Sequence, residues 1–120
     1  MTGIRKFVVQ KHTRQNRPVH WDWMFQAGNV LQTYRIEQPP AELPTQGISA
    51  IRIVDHPLRF LTYQGTVNKG EGNVQIAEKG TYRILSETES TRKLLLDGKT
   101  LKGQFSLKHI SDDRWLFSSS

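Results

Sequence analysis

The sequence predicts an all-β protein, a small and mostly antiparallel β-barrel with a proline-rich loop and at most short helical turns. Short runs rich in Val, Ile, Thr and aromatic residues alternate with Gly, Pro, Asn and Asp. No apolar pattern with the 3.6-residue period of a helix is sustained along the chain. Two hairpin signals, Gly28-Asn29 and Asp97-Gly98, separate neighbouring runs. A barrel is favoured because closing the sheet removes exposed edge strands.

The strand-like runs follow one another along the whole chain. They cover residues 4–12, 19–26, 30–36, 49–54, 59–67, 73–78, 80–85, 92–97, 101–109 and 114–118. The segment 38–47 contains three prolines and predicts a loop with at most one helical turn, because proline cannot donate within a central strand. Residues 86–93 are polar and predict an exposed loop. We expect residues 1–120 to form a single domain, since this length supports one hydrophobic core.

The composition limits the classes of site and of location. There is no cysteine, which excludes disulfides and thiolate zinc sites, so any metal must be held by histidine and carboxylate. No apolar run approaches the roughly 20 residues needed to cross a bilayer, and the N-terminus lacks the apolar run of a signal peptide. We therefore expect a cytoplasmic protein with no membrane partner, as the lack of cysteine also favours.

The chain is basic, with a net charge of +6. Part of the charge is clustered near the N-terminus, at Arg5, Lys6, Lys11, Arg14 and Arg17. This favours a polyanionic partner such as nucleic acid. The alternative is a generally basic surface that binds no nucleic acid.

The run Val19–Phe25 alternates between two kinds of side chain. In a strand, His20, Asp22 and Met24 point to one side and the large apolar residues between them point to the other. The apolar side belongs to a core, although Trp21 and Trp23 are also residue types on which nucleic-acid bases stack. The alternation favours the core, and it means that the polar side is held in place.

His20 and Asp22 are suited to bind one divalent metal ion. Their backbones are about 6–7 Å apart, so the imidazole and the carboxylate can converge. His12, in a neighbouring strand, completes a set of two histidines and one carboxylate, which leaves positions open for water and substrate. The alternative is a solvated polar face, because His-x-Asp is weakly specific without its context.

Two further side chains are candidates for roles in catalysis. His56 precedes Pro57, so it lies at a strand end in a rigid turn, where it suits phosphate contact or general acid catalysis. Gln10 shares the face of His12 and is a candidate to hydrogen-bond a metal-bound water or a ligand histidine. The alternatives are a surface histidine and a surface glutamine.

Several motifs occur together in a fixed order. They are Phe7–His12 (FVVQKH), His20-Trp21-Asp22, Leu31–Tyr34 (LQTY), Asp55–Leu58 (DHPL), Tyr63-Gln64-Gly65 and Leu96–Gly103 (LDGKTLKG). The ordered set resembles the 3′-phosphoesterase domain of bacterial DNA ligase D, which serves end repair in non-homologous end joining. The resemblance extends from about residue 5 to the C-terminus.

The resemblance implies a small β-barrel with a manganese-dependent activity on nucleic-acid 3′ ends. Such domains remove a 3′-terminal ribonucleoside and the resulting 3′-phosphate. By motif position, His12, His20 and Asp22 would bind Mn²⁺, although this ligand set also suits Zn²⁺. Gln10 would be a supporting residue, and His56 would contact phosphate or assist the leaving group.

The expected substrates are DNA or RNA/DNA 3′ ends. We assign Arg14, Arg17 and Arg52 to substrate binding, since cations hold the phosphate backbone. Neither a ligase nor a polymerase domain occurs in the 120 residues, so we expect a stand-alone, monomeric form that works with a separately encoded ligase or polymerase.

The chain departs from the family pattern at several positions, and the resemblance implies that one of them, the arginine replaced by Met24, would contact phosphate. The family reads His-Tyr-Asp-Phe-Arg-Leu-Glu, where this chain has Met24 for the arginine and Gln26 for the glutamate. Phe60 replaces a tyrosine, and the family's Phe-Glu-Gly reads Tyr63-Gln64-Gly65. Losing one oxyanion-binding group typically costs roughly 10²–10³ in rate, unless another arginine (Arg14, Arg17, Arg35 or Arg52) replaces it. The alternatives to an enzyme are a non-catalytic nucleic-acid-binding module and a structural domain with a vestigial metal site.

Overall fold

The computed structural model describes residues 4–42 and 47–119, and strands dominate them. The strands are β1 (Arg5–Arg14), β2 (His20–Ala27), β3 (Val30–Ile36), β4 (Ile48–Pro57), β5 (Gly65–Val67), β6 (Gly72–Glu87), β7 (Thr91–Gly98), β8 (Lys102–Ser111) and β9 (Arg114–Ser119). Short 3₁₀ helices cover Pro40–Glu42, Leu58–Leu61 and Asn68–Gly70. Among the described residues, no helix is long and apolar enough to cross a membrane.

The strands pair antiparallel in one sheet, in the order β1-β2-β3-β4-β9-β8-β7-β6-β5. A further pairing of β1 with β6 joins the two sides, so that all the strands except β5 form a barrel-like ring. The short β5 pairs with the first residues of β6. The predicted all-β, antiparallel class is therefore confirmed.

The inside of the ring holds the main hydrophobic core, here called the inner core. Alternating residues of the strands form this inner core, including Phe7, Val9, Trp23 and Phe25. Trp23 stacks on Phe117 with ring centroids 4.3 Å apart. This confirms that the apolar side of the run Val19–Phe25 packs in a core, and it turns His20 and Asp22 to the outside of the ring.

A smaller apolar cluster lies on the outer face, and we call it the outer cluster. Val8, Met24 and Leu31 form it and are fully buried. Residues 58–63, here called the covering segment, pack over it through Leu58, Phe60 and Leu61. This cover explains why residues on the outside of a ring are shielded from water.

The covering segment corrects one prediction. Residues 59–67 were expected to form a strand, but Leu58–Leu61 is a 3₁₀ helix and only Gly65–Val67 pairs as a strand. Pro57 fixes its own φ and ends β4. A helical turn then brings the apolar residues that follow onto one side, whereas a strand would expose every second one.

Two further segments differ from their predicted structure, and one agrees with it. The strands expected over 73–78 and 80–85 are one strand, β6, because Gly80 gives room for the close backbone of Asp97 and does not break the pairing. The loop expected over 86–93 is mostly strand, and only residues 88–90 connect β6 to β7. The helical turn allowed within 38–47 is Pro40–Glu42; residues 43–46 lie outside the described part of the chain.

Candidate metal centre

The pairing of β1 with β2 brings the predicted metal ligands together on the outer face. His12 lies directly opposite His20 in register, and Asp22 follows two residues along β2. Their side chains are buried, and their candidate ligand atoms all lie within 4.8 Å of one another. We call these three residues the triad. Two residues beyond Asp22 on β2, Met24 pairs with Val8 of β1, and both residues belong to the outer cluster.

The distances within the triad lie on either side of the spacing that a shared cation requires, so small side-chain shifts would bring the three ligand atoms to one ion. Nδ1 of His12 is 2.9 Å from Nε2 of His20, which is 3.7 Å from Oδ2 of Asp22. Two ligand atoms about 2.1 Å from one ion are roughly 3.0–3.4 Å apart at octahedral to tetrahedral angles. The other ring nitrogen of His12, Nε2, is buried against Gly72 and has no hydrogen-bond partner.

The protonation states also suit metal ligation. Burial and the neighbouring His20 lower the pKa of His12 below its ordinary value, and Arg14 and Arg35 act in the same direction. Burial works to raise the pKa of Asp22, but the neighbouring His20 and the hydrogen-bonded Arg35 outweigh it and lower that pKa. A neutral imidazole and an ionised carboxylate are the forms that bind a metal.

Arg35 holds the carboxylate of the triad from β3. It lies opposite Asp22 in the pairing of β2 with β3. Its Nε donates to Oδ1 of Asp22 at 3.0 Å, and Nη2 donates to Oδ2 at 3.5 Å. The sequence named Arg35 only as one possible replacement for the missing arginine, because its position depends on the register between two strands.

Gln10 lies next to the triad but binds elsewhere. Its Nε2 donates to the carbonyl oxygens of Phe60 and Tyr63, each at 3.0 Å. Gln10 therefore fastens the covering segment to β1. In this structure its side-chain amide supports the site through the segment above it.

His56 lies on the same outer face, at the end of β4. Its Nδ1 is 2.9 Å from the carbonyl oxygen of Val54 and 3.0 Å from Oγ1 of Thr33, and its ring meets Phe60 edge-on. Because a carbonyl oxygen only accepts hydrogen bonds, Nδ1 of His56 carries a proton. Nε2 is then the ring nitrogen that is free to take part in proton transfer. Thr33 is two residues from Arg35 on β3, which places His56 beside the triad and outside it.

The predicted substrate arginines occupy two different regions. Arg14 and Arg17 line a cavity of about 750 Å³ at the end of β1, where Gly72 lies between the cavity and the ring of His12. Arg52 instead donates to Asp55 and to backbone carbonyls, and its guanidinium lies over the ring of Tyr34. The structure therefore places Arg14 and Arg17 in a cavity on the other side of Gly72 from His12, and Arg52 beside Asp55 and Tyr34.

Comparison with known proteins supports one family. The model of the DNA ligase D 3′-phosphoesterase domain matches residues 10–109. The multifunctional non-homologous end joining DNA repair protein LigD of Mycobacterium tuberculosis is 30% identical over 117 residues, covering 92% of this chain and 15% of that protein. The LigD protein of Pseudomonas aeruginosa is 26% identical over 114 residues, covering 88% and 13%. The chain thus spans about 15% of the length of the first of these relatives.

Proposed function

Because the chain belongs to the DNA ligase D 3′-phosphoesterase domain family, we propose that it is a metal-dependent phosphoesterase acting in DNA end repair. It would remove a 3′-phosphate or a 3′-ribonucleoside from DNA or RNA/DNA ends before joining. The observation that carries the proposal is the convergence of His12, His20 and Asp22 in a buried, outward-facing cluster. We further propose a cytoplasmic monomer that works with a ligase or polymerase.

The triad would hold Mn²⁺, with Zn²⁺ as the alternative for the same ligands. A bound divalent ion there supplies electrostatic stabilisation of charge on phosphate oxygens. Arg35 fixes the orientation of the Asp22 carboxylate by its two contacts. Hydrogen bonds that orient a metal ligand in this way typically account for about 10–100-fold in metal affinity or activity.

The other side chains would bind the substrate and move protons. Arg14 and Arg17 line the cavity that begins at Gly72, beside His12, and their charge suits the phosphates of a nucleic-acid strand. In the hydrolysis of a 3′-phosphate, water adds to phosphorus and the 3′-oxygen leaves. His56, whose Nδ1–H is donated to the carbonyl oxygen of Val54, would give the leaving oxygen a proton from Nε2 when the ring is in its imidazolium form, and the proton of the attacking water would stay on the released phosphate.

The test is release of phosphate from a primer–template with a 3′-phosphate, in the presence of Mn²⁺. We expect turnover by the wild type and its loss in His20→Ala. His109→Ala is the matched control, because this histidine lies on β8 against Trp115. Manganese binding followed by calorimetry should be lost in His20→Ala and retained in His109→Ala. Equal turnover by the wild type and His20→Ala would contradict the proposal.

One observation favours a second function, a nucleic-acid-binding module without catalysis. Met24 is fully buried in the outer cluster where the family has an arginine, so one phosphate-binding group is lost. Salt-dependent DNA binding that survives His20→Ala, with no turnover by the wild type, would support the module.

A further inference from the structure

Position 24, where the family pattern has an arginine, is a packing position in this chain. Met24 has no exposed surface and packs with Val8 and Leu31. Phe60, which replaces the family's tyrosine, packs against the same outer cluster. Two departures from the family pattern therefore lie in one apolar cluster, and neither side chain can bind an anion.

Arg35 lies where a replacement cation is needed. Its Nε is 3.0 Å from Asp22 Oδ1, so the guanidinium adjoins the triad. The side chain of Arg35 is 39% exposed while that of Asp22 is 7% exposed. The guanidinium therefore extends from the buried carboxylate of Asp22 to the protein surface, where a substrate would approach.

The other three arginines that the sequence offered as replacements lie elsewhere. Arg52 is engaged with Asp55 and lies over Tyr34, away from the triad. Arg14 and Arg17 line the cavity at the opposite edge, beyond β1. Arg35 on β3 and Arg14 on β1 therefore flank the triad from its two sides.

We infer that Arg35 binds the oxygens of the terminal phosphate in this chain and so replaces the arginine absent from position 24. The inference rests on the proposed function of the triad. A guanidinium carries five N–H donors in a planar fork, so the contacts with Asp22 through Nε and Nη2 are compatible with binding a second anion. The group would then both orient a metal ligand and make the site selective for a phosphate terminus.

The test compares wild type, Arg35→Gln, Arg35→Lys and the control Arg83→Gln, an exposed arginine on β6. Binding of two oligonucleotides is measured with Mn²⁺ present, one ending in a non-hydrolysable 3′-phosphonate and one in a 3′-hydroxyl. We expect wild type and Arg83→Gln to prefer the phosphonate by about tenfold or more, Arg35→Gln to lose the preference, and Arg35→Lys to keep part of it. The kcat/KM for the 3′-phosphate should fall roughly 10²–10³-fold in Arg35→Gln.

Manganese affinity is measured in parallel, because Arg35 also contacts Asp22, one of the proposed metal ligands. If saturating manganese restores the phosphonate preference of Arg35→Gln, the residue only positions Asp22 and the inference is wrong. A preference unchanged in Arg35→Gln, or absent in the wild type, would equally overturn it. Preference without turnover by the wild type would remove the phosphoesterase function and leave the phosphate contact standing.

Discussion

The ring of His12 lies directly against the backbone of Gly72, so that a Cβ on Gly72 would be 2.7 Å from His12 Nε2. The same Cβ would stand 3.2 Å from Val67 and 3.4 Å from Arg14. Glycine at this position is therefore required by the close approach of the His12 ring.

Replacing Gly72 with alanine should displace His12 and weaken metal binding. We expect Gly72→Ala to lower manganese affinity by about tenfold or more while the fold persists. The measurement is calorimetric titration with manganese, with circular dichroism to monitor folding. The control is Gln75→Ala, an exposed position on the same strand. Wild-type affinity in Gly72→Ala would mean that the ring tolerates displacement.

Restoring the family's arginine at position 24 alone should destabilise the protein. Met24→Arg places a charge in the fully buried outer cluster, and we expect a loss of roughly 2 kcal/mol or more. Met24→Leu conserves volume and should cost under about 1.5 kcal/mol. Urea unfolding of both variants measures the difference. A stable Met24→Arg variant with raised turnover would show that the cluster opens to admit the arginine.

Removing the side-chain amide of Gln10 should release the covering segment. Gln10→Leu leaves the carbonyl oxygens of Phe60 and Tyr63 without this donor, at a cost of about 1–3 kcal/mol. Because the loss is local, hydrogen exchange at the amide of Thr62, which is bonded to Arg59, should accelerate. Gln75→Ala serves as the comparison. Unchanged exchange at Thr62 would mean that apolar packing alone holds the segment.

The carboxylate of Glu78 should make stability depend on pH. It is buried and accepts hydrogen bonds from the backbone N–H groups of Lys99, Thr100 and Leu101. Burial acts to raise its pKa, but these bonds outweigh burial and lower the pKa below the ordinary value of 4.5. The folded state therefore binds this proton less readily than the unfolded state does.

The stabilisation is then complete above the unfolded pKa and is lost as pH falls through the lower folded pKa. We expect Glu78→Gln to unfold about 1–3 kcal/mol more easily near neutral pH. The difference from wild type should shrink on acidification, as measured by denaturant unfolding at neutral and acidic pH. A difference that stays constant with pH would assign the loss to packing.

The grouping of the triad could be predicted from the sequence because it depends on strand periodicity. His20 and Asp22 share a face by alternation, and His12 lies on the adjacent strand of a short hairpin. Arg35 and Glu78 could not be placed, because their partners depend on cross-strand register and on a turn 21 to 23 residues away. The 3₁₀ helix Leu58–Leu61 was missed because a short apolar run fits a strand equally well.

The site and the packing that folds the chain are on opposite faces of the same strands. The inner core fills the ring, whereas the triad and Arg35 belong to its outer surface. A substitution at the triad or at Arg35 therefore leaves the packing inside the ring untouched. This separation gives the scaffold evolutionary freedom, because side chains on the outer face can change while the inner core is kept.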